Sequence, residues 1–266
     1  MKDSDILIPT IPKFEIDSPQ VVLTLDRIRF ELEKKSDDFD EFYWFAREFP
    51  RFYRYHIDNI EFRLNTIQEL YKYHRIDFLK QSDSNEHGGV VFEKSTSTIL
   101  SKQIYWEFEA LLGATNSALD ILARIAGIAY TEQTPVSLTK ISKKKELSGI
   151  VDLFRVAQIE WINDMKDYRD CFVHYTPVDS QVYVTIYRLK KNWKMWCKIP
   201  TNPNVRSGDS FIFSKRRDLL RYSITVYENL MKLDLLIAKR IEQLYESGEF
   251  PKRINNLFNI GQRGRK

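Results

Sequence analysis

Two cysteines, Cys171 and Cys197, are the only thiols in the chain, too few for a disulfide framework. No CxxC or HExxH spacing occurs, and four histidines in all leave little material for a metal site. Nine glycines are sparse, and none fall into GxGxxG or GxxxxGK, which argues against the nucleotide chemistry that those loops support. No apolar run approaches the roughly 18 residues of a membrane span. The start, Met1-Lys2-Asp3-Ser4-Asp5-Ile6, lacks a basic stretch followed by an apolar one, so no secretory signal is read. Together these absences lead us to expect a cytoplasmic protein that needs no membrane, metal or cofactor.

What is present is a globular composition. Apolar residues make up 43% of 266, enough for a sizeable core, and charged residues make up 29%. Net charge is +4, which decides little alone. Its distribution is more informative: Lys143-Lys144-Lys145, Lys190-Lys191, Lys215-Arg216-Arg217 and the tail Arg263-Gly264-Arg265-Lys266 are basic clusters. Each is either a solvated face or a contact for nucleic-acid phosphates.

The apolar periodicity predicts long helices. Residues 1–17, with Pro9 and Pro12, read as an extended lead-in. A first helix spans about 19–35 through Val21, Leu23, Ile28, Phe30 and Leu32. A second covers about 39–80, with Ile57, Ile60, Leu64, Ile67, Leu70 and Tyr71 in phase and Pro50 as a kink or boundary. Residues 82–90 are a polar, glycine-containing loop. The densest pattern, about 97–130, runs through Ile104, Phe108, Leu111, Leu112, Leu119, Leu122 and Ile125. There the small residues Gly113, Ala114, Ser117 and Ala118 would permit close helix packing. One polar set interrupts this helix: Glu109, Asn116 and Asp120 lie within about 40° on a helical wheel. A basic linker follows at about 138–146. The next helix, about 147–175, contains Ile150, Leu153, Phe154, Trp161, Met165, Tyr168 and Phe172. It stops at Thr176-Pro177, since the residue before proline avoids helical geometry.

The period then changes from helical to alternating. Val182 to Tyr187 and Trp193 to Ile199 are β-branched and aromatic, with Lys190-Lys191-Asn192 between them, which predicts a β-hairpin at about 182–199. A turn-rich stretch leads to a last helix at about 214–247, with Leu219, Leu220, Ile224, Leu230, Leu233, Ile237, Ile241 and Leu244 inward. The expected fold class is therefore mainly α: a bundle of long helices with a hairpin inserted before the last one. By domain this gives an N-terminal helical segment over 1–90, a helical domain over 91–250 and a basic tail over 251–266.

Tyr168-Arg169-Asp170-Cys171-Phe172-Val173-His174-Tyr175 closes the 147–175 helix and carries the chemistry. Arg169 offers a planar, permanently charged donor fork suited to phosphate. His174 can move a proton near neutral pH. Together they form a minimal set for RNA cleavage: the histidine takes a proton from a ribose 2′-OH while the arginine steadies the phosphate. Five residues on an ideal helix separate the two by about 140°, so they do not share a face unless the helix end unwinds or two chains build the site jointly. A second match to the string, Arg51 and His56, follows Pro50 at what reads as a helix start. The other readings stay open: Arg169 as a salt bridge to Asp120 or Glu109, and His174 as a helix-end residue favoured by the macrodipole.

Arg169-Asp170 followed by His174 at a helix end resembles the R-x4-6-H motif of the HEPN superfamily, whose members favour a polar residue directly after the arginine. The stretch from Phe108 to Arg124 also resembles the helix that precedes the motif in bacterial members. The resemblance covers about 97–247. It implies a HEPN-like helical bundle that forms a homodimer with its motifs facing each other. It further implies a metal-independent endoribonuclease, a hydrolase of toxin–antitoxin or antiphage defence systems with RNA as substrate and an antitoxin or defence protein as partner. Other members are inactive binding modules. On this resemblance Arg169, His174 and Asp170 are the catalytic set. Glu109, Asn116 and Asp120 are read from the wheel as supporting residues. Lys190, Lys191, Trp193, Lys215, Arg216 and Arg217 are the candidate RNA surface, with Trp193 and Trp196 able either to stack on bases or to brace the hairpin.

Overall fold

The computed structural model describes residues 18–33, 40–82, 91–95, 99–130, 138, 149–175, 183–189, 192–207 and 210–250. They are mainly helical, with an antiparallel β-hairpin inserted before the last helix. No helix among the described residues is long and apolar enough to cross a membrane. The tail read at 251–266 and the cluster Lys143-Lys144-Lys145 lie outside them.

The helices are α1 (Gln20–Glu33), α2 (Asp40–Ser82), α3 (Ile99–Tyr130), α4 (Ile150–Ala157), α5 (Asn163–Asp170) and α6 (Leu219–Glu246). Two π-helical segments, π1 (Gln158–Ile162) and π2 (Cys171–Tyr175), follow α4 and α5. The strands are β1 (Val91–Ser95), β2 (Tyr183–Leu189), β3 (Asn192–Pro200) and β4 (Phe213–Asp218). The chain divides into two compact units. One holds Asn59–Gly113 and Asp164–Tyr227; the other holds Ile16–Asp58, Ala114–Asn163 and Glu228–Lys266.

In the second of these units α1 buries Val21, Leu25 and Ile28, a spacing of four and three that lines up one helical face. Its first N–H groups have no partner within the helix. Asp234 on α6 supplies one, accepting from Gln20 N at 2.6 Å and Val21 N at 3.4 Å. Arg27–Glu242 and Tyr245–Glu31 tie the same two helices further along. α2 runs through Pro50 without a break, where the sequence suggested a kink or boundary. Proline forgoes one helix bond, but Phe45, Ala46, Phe49, Tyr53 and Ile57 around it are buried and hold the turn together. α4 begins at Gly149, whose φ of 89° suits a residue without Cβ. Asp152 reaches back to accept the Gly149 N–H at 3.2 Å. α6 ends at Gly248, with φ 75°, where Gly248 N and Glu249 N donate to Tyr245 O and Leu244 O.

In the other unit the predicted hairpin is present as β2 and β3, paired antiparallel from Val184↔Cys197 to Leu189↔Asn192. β1 and β4 extend it on either side in the order β1-β2-β3-β4. The last helix therefore starts at Leu219, not near 214: residues 213–218 are β4, with Lys198↔Asp218 and Pro200↔Phe213 in register around an irregularity. The junction is set by Asp218. Its Oδ1 accepts the Arg221 N–H at 3.0 Å, the bond of a helix N-cap. Its Oδ2 accepts the Tyr71 hydroxyl at 3.1 Å and Cys197 N at 3.0 Å. Tyr71 Oη in turn accepts Leu220 N at 3.2 Å. One carboxylate thus joins α2, β3 and α6. On α3, Ile104, Phe108, Leu111 and Leu112 are buried as their spacing predicted, and Tyr105 is buried beside them. Gly113 departs from the expected close packing, for a Cβ there would have nothing within 4 Å.

Candidate functional site

α5 and π2 are fixed along one side. Met165, Tyr168 and Cys171 are buried, and Phe172 is half-buried. Tyr168 donates its hydroxyl to Pro200 O on β3 through a short hydrogen bond. Phe108 on α3 meets the edges of Tyr168, Phe172 and Tyr222, each with centroids 5.9 Å apart. Aromatic pairs of this kind orient rings as well as burying them. With those residues inward, Asp167, Val173 and His174 are exposed and Arg169 and Asp170 half-exposed.

π2 changes the geometry of the pair. A π turn closes its hydrogen bonds over five residues instead of four, so each residue advances the helix by roughly 80° rather than 100°. The widened turn lies between Arg169 and His174. On ideal geometry it reduces their angular separation from about 140° to about 80°. The second match to the string has no such feature. Arg51 and His56 sit inside α2, far from either end, and the His56 ring stands edge-on to Tyr55 at 5.4 Å. Burial lowers the His56 pKa, and its Nδ1 is buried without a hydrogen-bond partner.

Arg169 pairs with its neighbour Asp170, Nη1 to Oδ1 at 2.8 Å, with 36% and 43% of the two side chains exposed. Glu109 is half-buried on α3 in the same unit, yet the carboxylate that holds Arg169 is Asp170. Asn116 and Asp120 belong to the other unit, where Asp120 accepts the Leu138 N–H at 2.9 Å. The supporting set read from the helical wheel is therefore distributed over two units.

Lys190 and Lys191 lie outside the described residues, as do the side chains of Trp193, Lys215 and Arg216. Arg217 is described, and its guanidinium is already engaged. It donates to Asp164 Oδ2 and lies 5.2 Å from the ring centroids of both Tyr168 and Tyr222. Tyr222 donates to the same Asp164 oxygen at 2.8 Å. Burial works against the Arg217 charge, but Tyr168, Asp164 and Tyr222 outweigh it and hold its pKa above the ordinary value. Burial, and then Asp164, pushes the Tyr222 hydroxyl up. Sequence reasoning missed Asp164 and Tyr222. The one available signal was that Asp164 stands four residues before Tyr168, on the same helical face.

Asp164, Asp167 and Asp170 recur every third residue along α5. Partial burial raises the Asp167 pKa, and repulsion from Asp164 and Asp170 adds to it. Of these carboxylates, Asp170 is the one that pairs with Arg169. Chemically, the segment offers a half-exposed guanidinium and an exposed imidazole, while its buried residues are held by aromatic rings. No protein-family model matches the chain, and no curated protein or solved structure does either.

Proposed function

We propose that the chain is a metal-independent endoribonuclease of the HEPN type, acting as a homodimer in the cytoplasm as a toxin or defence effector. The observation that supports this reading is the π2 turn, which carries an exposed His174 and on ideal geometry narrows its angle to Arg169. In the proposed reaction, neutral His174 takes the proton of a ribose 2′-OH. The 2′-oxygen attacks the adjacent phosphorus, and the bond to the 5′-oxygen breaks. That oxygen leaves with a proton from water or from the imidazolium of the second copy. Arg169 leaves Asp170 to bind the phosphate and offsets the charge that grows on it. The products are a 2′,3′-cyclic phosphate and a 5′-hydroxyl.

The test is RNA cleavage by purified protein, with end-group analysis. His174→Ala and Arg169→Ala should each remove cleavage while far-UV circular dichroism and elution volume stay unchanged. Undiminished cleavage by His174→Ala refutes the mechanism.

A second reading is favoured by the acidic run. Asp164, Asp167 and Asp170 put negative charge along α5, and Asp170 already occupies Arg169. An inactive HEPN-like module that binds RNA or a protein partner fits that arrangement. It calls for RNA binding that weakens steeply with salt, or for none, and for no cleavage at any enzyme concentration.

A further inference from the structure

We propose that Asp164, Arg217 and Tyr222 form a latch that sets the rotation of α5 and thereby aims Arg169 and His174. This rests on the ribonuclease reading above. The latch begins at the second residue of α5, five positions before Arg169. Asp164 Oδ2 receives both the Arg217 guanidinium and the Tyr222 hydroxyl. Arg217 comes from β4 and Tyr222 from the first turns of α6, so two elements close on one carboxylate.

The latch has a second, apolar layer. The Arg217 guanidinium lies at equal distance from Tyr168 and Tyr222, whose own centroids are 5.0 Å apart. Tyr168 is the residue directly before Arg169, and its hydroxyl is fixed to Pro200 O. A helix held only by apolar packing can slide or rotate a little at low cost. A helix held by a shared carboxylate, a planar cation and two rings cannot rotate without breaking charge-assisted hydrogen bonds. Rotation of α5 would carry Arg169 and His174 off target together, and misplacement by about 1 Å can lower a rate about 100-fold. Arg217 is a positioning residue in this scheme and touches no substrate. A lysine there keeps the charge but loses the planar fork and the stacking.

The experiment measures kcat and KM for cleavage of a short RNA by wild type, Asp164→Asn, Arg217→Lys and Tyr222→Phe, at a temperature well below each melting point. The latch predicts kcat lower by about 10-fold in Asp164→Asn and Arg217→Lys, with KM changed less than 2-fold. Tyr222→Phe retains Arg217 and should fall by a smaller factor. A raised KM with unchanged kcat means that Arg217 contacts RNA and overturns the proposal. A lower melting temperature with both constants unchanged means that the cluster only stabilises the fold, and overturns it equally. Asp164→Glu covers the case in which Asp164→Asn does not fold: it keeps the carboxylate and should preserve more of kcat than Arg217→Lys. If wild type and His174→Ala are both inactive, the ribonuclease reading itself has failed, which is distinct from an active wild type whose latch variants are unimpaired.

Discussion

Asp218 offers a test of the fold's electrostatics that needs no substrate. Its side chain lies in a residue only 3% exposed and accepts from Tyr71, Cys197 N and Arg221 N. Burial disfavours the charged form and pushes the carboxyl up to about 6, although the Arg221, Tyr71 and Cys197 hydrogen bonds pull the other way. In the unfolded chain an aspartate titrates near 3.9. The folded state therefore holds this proton more tightly. The stabilisation is fully present below about pH 4 and is lost as pH rises through about 6. A difference of about two pKa units corresponds to about 3 kcal/mol in full, of which about 1.4 kcal/mol falls between pH 5 and 7.5. Asp218→Asn removes the titration. The amide turns a donor toward Tyr71 and Cys197 N, so the variant should be less stable at every pH, by about 1–3 kcal/mol. That penalty relative to wild type should shrink by about 1.4 kcal/mol from pH 5 to 7.5. Urea unfolding of both proteins across that range measures the difference. A constant gap would refute the reasoning, because it would mean that Asp218 ionises in the folded protein as it does in water.

Asp234→Ala should cost about 2–4 kcal/mol in urea unfolding, since Gln20 N and Val21 N lose their acceptor, and α1 should become the first site of limited proteolysis. Gly113→Ala should add about 0.5–1 kcal/mol, because the position is helical and open; a loss of stability would contradict the open space found there. Tyr168→Phe should lower stability by about 1–3 kcal/mol, leaving Pro200 O without its hydroxyl partner, as read from thermal melts. Arg27→Ala should change stability by less than about 1 kcal/mol despite its contact with Glu242, because the pair is exposed and screened by solvent.

Much of the fold was legible because its helices are long and their apolar spacing persists over many turns. The paired strands β2 and β3 were legible because β-branched and aromatic residues crowd on both sides of a short polar turn. β1 is five residues with no repeated signal. β4 reads Phe213-Ser214-Lys215-Arg216-Arg217-Asp218, and its charge and closeness to an apolar helical pattern conceal a strand. The basic triplet within it looked like one surface in the string. A strand sends successive side chains to opposite faces, and Arg217 goes to Asp164, 53 residues earlier in the chain. Partnerships at that separation leave no local pattern. The motif was visible as residues and spacing, and so was the angular conflict between them. The π turn that eases the conflict was not, because π geometry has no composition of its own. The Arg169–Asp170 pair shows the remaining limit: the wheel pointed to carboxylates on another helix, while the nearest one was the next residue.

The two π segments also bear on ancestry. The first, π1, takes up one residue more than an α-helical turn while described helix continues on both sides, as α4 and α5. Related chains that lack the extra residue at 158–162 would still superpose on both flanks. A comparison that treats helices as gap-free would misalign them past π1, and would shift Arg169 and His174 together by one position. A relative one residue shorter at 158–162 would therefore keep the spacing of the Arg–His pair unchanged.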